Sequence, residues 1–214
     1  MEIIKVNLST DWNNPVIIQK AMTVIQRNGS LVYPTDTVYG LGVNALRTHC
    51  LERLFKIKKR PETKPVPVMV RDIEMAKKLA FVDRKTEKVL KAVWPGPVTV
   101  ILKKREVVPD ILTAGQRTIG LRIADCRLTQ TLMANLAEPI TATSANFSGS
   151  PPLNSAVEII EIFAKSYPRP DLILDSGQLP ASLPSTVLDL TGQQPKILRV
   201  GPASKKELLK FLKT

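Results

Sequence analysis

Two periods of apolar and polar positions run through the chain and divide it into elements. Short apolar runs of strand type fall at 31–33, 66–70, 98–102, 118–123, 140–142, 172–174, 186–190 and 197–200, with a loosely alternating edge strand at 3–7. Between them, Ile17, Ala21, Val24 and Ile25 recur at helical spacing, as do Leu51, Leu54 and Phe55, and then Leu128, Leu132 and Leu136. Start signals agree: Asn14-Pro15, Asp72, Asp83 and the boxes Ser155-x-x-Glu158 and Ser204-x-x-Glu207 predict N-caps, while Asn28-Gly29 predicts a stop. Helices are expected at 72–80, 84–93 and 126–137. Pro61 disfavours helical backbone at Arg60, so Lys58 and Arg60 are expected just past the end of the helix that begins near Thr48. Strands and helices mix throughout, without repeat or long linker. The prediction is an α/β fold: one domain over residues 1–214, a twisted mixed β-sheet flanked by helices.

The stretch 31–42 organises the rest. An apolar strand stops at Pro34 and opens into Thr35, Asp36 and Thr37, followed by Gly40 and Gly42, which read as flexible backbone. This is either a binding edge or an ordinary exit from a strand. Further places repeat the theme: Lys58-x-Arg60, Thr118 with Arg122, Ser144-x-Asn146, and Ser185-Thr186 with Arg199 on the next strand. Brought together, these cations and hydroxyls suit a ligand with phosphates and a carboxylate. Each also has a plainer reading. The basic run 56–60 suits a solvated face, and Ser144 with Asn146 suits a turn. Arg122, on a half-buried strand, needs a partner, which is either a ligand or an internal carboxylate.

Charge sharpens this only in part. Thirty-one Lys and Arg against nineteen Asp and Glu give +12, which attracts polyanions or simply favours solubility. No apolar run has membrane length and the start lacks a signal-peptide pattern, so the expected location is the cytoplasm, with no membrane partner. Cys50, Cys126 and the single His49 are too few for a disulfide or zinc framework. Adjacent side chains on a helix diverge, which argues against His49 and Cys50 as a catalytic pair. Neither glycine-rich phosphate fingerprint is present. Residues alone therefore reach a basic α/β protein with an anionic-ligand pocket.

Six motifs add a resemblance: LVYPTDTVYGLG (31–42), KIKKRP (56–61), WPGPVT (94–99), TIGLRIAD (118–125), TATSANFSG (141–149) and PSTVLDL (184–190). In this order the chain resembles the threonylcarbamoyl-AMP synthase family of the YrdC type, over nearly its whole length. The resemblance implies a sheet around a concave basic groove and the condensation of ATP, L-threonine and bicarbonate with release of pyrophosphate. It also implies Mg²⁺ arriving with ATP, no protein-held metal, and partner proteins that move the threonylcarbamoyl group to tRNA. Carried over by motif, Lys58, Arg60, Thr118, Ser144, Asn146 and Arg199 resemble the ATP site, with Lys58 and Arg60 as catalytic cations. Thr35, Arg122, the Ala142 backbone and Ser185 resemble the threonine site. Asn146 receives no individual role, and Met69 stands where many relatives carry a polar residue. Longer relatives have a C-terminal extension, which this sequence is expected to lack. The rival expectation is a non-catalytic RNA-binding module of the same fold, supported by the +12 charge but short of aromatic stacking residues.

Overall fold

The computed structural model describes residues 1–206 and Leu208. In chain order the elements are β1 (Glu2–Lys5), α1 (Pro15–Gln26), β2 (Leu31–Tyr33), β3 (Gly40–Gly42), α2 (Thr48–Lys58), β4 (Val68–Met69), α3 (Ile73–Leu79) and α4 (Arg84–Val93). Then follow β5 (Val98–Lys103), α5 (Asp110–Thr113), β6 (Thr118–Arg122), α6 (Arg127–Asn135), β7 (Ile140–Thr141), β8 (Thr143–Ser144), α7 (Ala156–Ala164), β9 (Leu172–Asp175), β10 (Thr186–Asp189) and β11 (Lys196–Arg199). The expected N-caps form: Asn14 accepts from Val16 and Ile17, Asp72 from Met75, Asp83 from Thr86 and Ser155 from Glu158. The helix expected from the Ser204 box lies partly outside the described residues, since Glu207 is one of the others.

The mixed α/β class is as expected, and its strands divide between two sheets. One has the order β1-β9-β2-β3-β8, the other β11-β10-β5-β6-β4-β7. Residues 140–144 join them, because β7 pairs with β4 in the second sheet while β8 pairs with β3 in the first. Ala142, between these two strands, donates its N–H to Pro67 O at 2.7 Å, so the crossing carries no break in pairing.

Register decides what the second sheet shows to solvent. Val98, Val100 and Leu102 on β5, Ile119 and Leu121 on β6, and Leu188 on β10 are at most 2% exposed and form the closed face. The strand period of two sends their neighbours to the other side. There Thr118, Gly120 and Arg122 lie beside Ile101 and Lys103, then Val187 and, across the last pair, Arg199. This second face is open around Lys103, Thr118 and Arg199 and closes at Arg122.

Two expectations about local structure are corrected. Gly40 and Gly42 are not flexible loop: they form β3, antiparallel to β2 and fully paired with it, and neither has positive φ. A Cβ on Gly40 would stand 2.7 Å from Tyr33 Cζ, and one on Gly42 3.0 Å from Tyr33 Cε1. Both positions are glycine because the Tyr33 ring lies against the β3 backbone, its hydroxyl donating to Thr141 O at 2.9 Å. Lys58 is not past its helix but is the last residue of α2; the helix ends one residue later, where Lys59 takes left-handed backbone (φ 49°). Arg60 N then donates back to Phe55 O at 2.9 Å and closes the turn. Among the described residues no helix is long and apolar enough to cross a membrane.

Candidate functional site

Where the two sheets meet, a small cleft brings together Thr35, Thr37, Met69, Arg122, Ala142 and Ser144. Of the four residues expected at one site, Thr35, Arg122 and Ala142 line this cleft and Ser185 does not. The six-residue link between β2 and β3 is folded about Thr35: its hydroxyl donates to Val38 O at 2.7 Å and accepts from Thr37 N at 3.1 Å. Loop residues are thus fixed by their own side chains, as an Asx or Ser/Thr turn does on a smaller scale.

Arg122 ends β6 and is 6% exposed. Its Nε donates to Gly96 O at 3.1 Å, one terminal nitrogen to Thr37 Oγ1 at 2.9 Å and the other to Asp36 Oδ1 at 2.5 Å. The question left open by the sequence is answered by an internal carboxylate. Burial pushes the Asp36 carboxyl above the usual range, opposed by the Arg122 charge. Asp36 Oδ2 is buried with no hydrogen-bond partner among the described residues. Arg122 itself is lowered by burial, with the Asp36 charge raising it and Arg199 lowering it further.

A second cluster adjoins Ser144. Lys58 is 1% exposed, and its ammonium donates to Ser144 O (2.5 Å), Asn146 O (2.8 Å) and Asn146 Oδ1 (3.2 Å). An ammonium has three N–H groups, so all are taken. Asn146, expected in the ATP site without an individual role, is the hub: Oδ1 also accepts from Ser144 Oγ at 2.6 Å, while Nδ2 donates to Ser150 O and Pro151 O. Ser148 N donates to Lys58 O at 2.8 Å, tying the loop to the end of α2. Burial lowers Lys58 to about 7, with a smaller push from nearby Arg60. Arg60 is half-buried and donates to Lys64 O and Pro65 O.

A third group sits at the start of β10. Ser185 Oγ lies 2.8 Å from Thr99 Oγ1, and Arg199 donates to Ser185 O at 2.8 Å and 3.0 Å. Thr118 is separate. It shares the open face with Arg122 but stands at the other end of β6, about 13 Å away along the strand. Sequence reasoning placed Asp36 and Thr37 on the candidate binding edge without individual roles, and gave none to Gly96 or Thr99, although each lies inside a motif quoted above.

The family model for Sua5, YciO and YrdC, described as telomere recombination, matches residues 23–201. A threonylcarbamoyl-AMP synthase of Pyrococcus abyssi is 38% identical over 188 residues, 87% of this chain and 54% of its own length. The chain therefore spans about half the length of that relative. The Escherichia coli YciO protein, named as uncharacterized, is 33% identical over 194 residues, 90% of this chain and 93% of its own. Among solved structures, P. abyssi Sua5 complexed with L-threonine superposes with a TM-score of 0.91 at 34% identity, covering 99% of this chain and 61% of that one.

Proposed function

The chain belongs to the Sua5/YciO/YrdC family, and from that premise we propose that it is an L-threonylcarbamoyl-AMP synthase. The observation that carries this reading is the cleft at the sheet junction, where a buried guanidinium, two threonines and the Ala142 backbone meet beside the Ser144–Asn146 loop. In this reading threonine binds with its carboxylate on Arg122 and contacts from Thr35, the Ala142 backbone and Ser185. ATP lies along the open face, its phosphates toward Arg60, Ser144 and Arg199, with Thr118 further along. Lys58 supports the phosphates from behind, by ordering the Ser144–Asn146 loop.

The threonine amine forms a carbamate with bicarbonate-derived carbon dioxide. A carbamate oxygen then attacks the α-phosphorus, and pyrophosphate leaves in line. The protein contributes positioning and preorganised cations against charge that grows on the phosphates. The donor set suits a nucleotide-borne Mg²⁺ rather than a protein-held one: the phosphate-facing groups are cations, amides and hydroxyls, and a hard divalent ion prefers phosphate oxygens. Such an ion would neutralise phosphate charge. The product would pass to proteins that modify tRNA.

The test is pyrophosphate release from ATP, with L-threonine and bicarbonate omitted in turn. Release that requires both supports the synthase. Release that ignores threonine, or none at all from folded protein, removes it. The second reading, a binding module that docks RNA on its surplus of cations, draws on the +12 charge and the YciO likeness. It predicts RNA affinity that falls steeply with salt and owes nothing to threonine.

A further inference from the structure

We infer that Asp36 sets the specificity of the cleft: it cancels the charge of Arg122, so that the cleft takes a zwitterionic amino acid and refuses simple anions such as phosphate. The inference rests on the amino-acid reading of the cleft given above and adds the reason a phosphate does not bind there instead.

Arg122 is the one cation among the residues lining this cleft, and Asp36 does not line it. The carboxylate touches the guanidinium from outside, with 12% of its side chain exposed and Oδ2 without a partner. A guanidinium has five N–H groups. Three are engaged, by Gly96 O, Thr37 Oγ1 and Asp36 Oδ1, which leaves one on each terminal nitrogen for a ligand.

Orientation alone does not call for a carboxylate here. Arg60 is held by Lys64 O and Pro65 O, and Arg199 by Ser185 O and Oγ, all neutral oxygens. Neither has an ion pair among the described residues. Arg122 already has two neutral acceptors of the same kind. Asp36 compensates the buried guanidinium, yet it brings in a buried oxygen that no described residue partners, so stability alone does not explain the choice of a carboxylate. What the carboxylate changes is the net charge presented to a ligand.

A bare guanidinium attracts any anion, and two phosphate-bearing molecules, ATP and pyrophosphate, would be within reach in this reading. With Asp36 behind it, Arg122 still offers directed N–H groups, but a dianion meets a nearby negative charge. A zwitterion has no net charge to be repelled. Specificity is built here by opposing the wrong ligand, at the expense of some affinity for the right one.

Calorimetric titration of the full chain with L-threonine and with inorganic phosphate tests this without relying on turnover. In D36N the affinity for phosphate relative to threonine should rise by about tenfold or more, as expected for losing one close like charge. In T37V, which loosens the guanidinium without changing charge, both affinities should fall together and their ratio stay within about threefold. Wild-type protein gives a check that needs no variant: 3-hydroxybutyrate, which has the carboxylate and hydroxyl but no ammonium, should bind at least about tenfold more weakly than threonine. An unchanged ratio in folded D36N, or equal binding of threonine and 3-hydroxybutyrate, overturns the inference and leaves Asp36 an anchor only. Absence of threonine binding to the wild type instead removes the amino-acid reading itself.

Discussion

Arg122 and Lys58 are both buried cations beside one cleft, and the protein compensates them in different ways. Arg122 faces a carboxylate, Asp36, and two neutral oxygens. Lys58 faces three neutral oxygens and, among the described residues, no carboxylate. A full counter-charge makes the first site electrically quiet while keeping its geometry. Carbonyl dipoles only partly replace lost hydration, so the second site holds its proton less firmly, with the Lys58 ammonium lowered to about 7. In the function proposed above, the quiet site suits a ligand without net charge, and the Lys58 side of the cleft lies toward the phosphates. Arg60, half-buried and held by loop carbonyls, is the exposed counterpart of Lys58.

The largest effect should come from removing the counter-charge's partner. Arg122→Ala leaves Asp36 buried and unpaired, and should cost about 3–5 kcal/mol of stability in denaturant unfolding. A loss near 1 kcal/mol would mean that the pair is already well hydrated. Arg60→Ala makes the opposite case. Its unfolding midpoint should stay close to wild type, while threonine-dependent pyrophosphate release falls on the order of 10²–10³. Equal damage to stability in both variants would erase the distinction between a compensated and an exposed cation.

Asn146→Ala tests the neutral cage. It removes one acceptor from Lys58 and leaves Ser150 O and Pro151 O without their donor, so a loss of about 1–3 kcal/mol is expected. Protection of the 144–151 backbone amides in hydrogen exchange should fall with it. The most gradual effect is on pH. Lys58 falls from 10.5 in the unfolded chain to about 7 when buried, so between those values the unfolded state holds more protons. Stability relative to Lys58→Met should therefore be flat below pH 7 and rise above it, by less than about 1.4 kcal/mol per pH unit. A relative stability that falls with rising pH would show that the cage holds the ammonium more strongly than burial opposes it.

Much of this was legible in the chain itself. Caps at Asn14, Asp72, Asp83 and Ser155 act within four residues, and the structure uses each of them. The parity of Thr118 and Arg122 on one strand already put both on one face. Their separation along that face, which splits them between the far end of β6 and the cleft, was equally readable from the spacing. Gly40 and Gly42 were misread as flexible because the reason for them is not local. It is the ring of Tyr33, brought across by the β2–β3 pairing, that leaves no room for a Cβ. Lys58 was placed outside its helix because Pro61 was the visible stop, whereas the chain stops earlier by a left-handed Lys59.

The sequence by itself determined the elements, their caps and which side chains share a strand face, since those follow from steric and hydrogen-bonding rules that operate over a few residues. The tertiary structure decided which charges meet. Asp36 and Arg122 are 86 positions apart, as are Lys58 and Ser144, and nothing local distinguishes a carboxylate that neutralises an arginine from one that faces water. Only the crossing of residues 140–144 between the two sheets brings these groups together, because long-range strand pairing fixes distances that chain spacing leaves free.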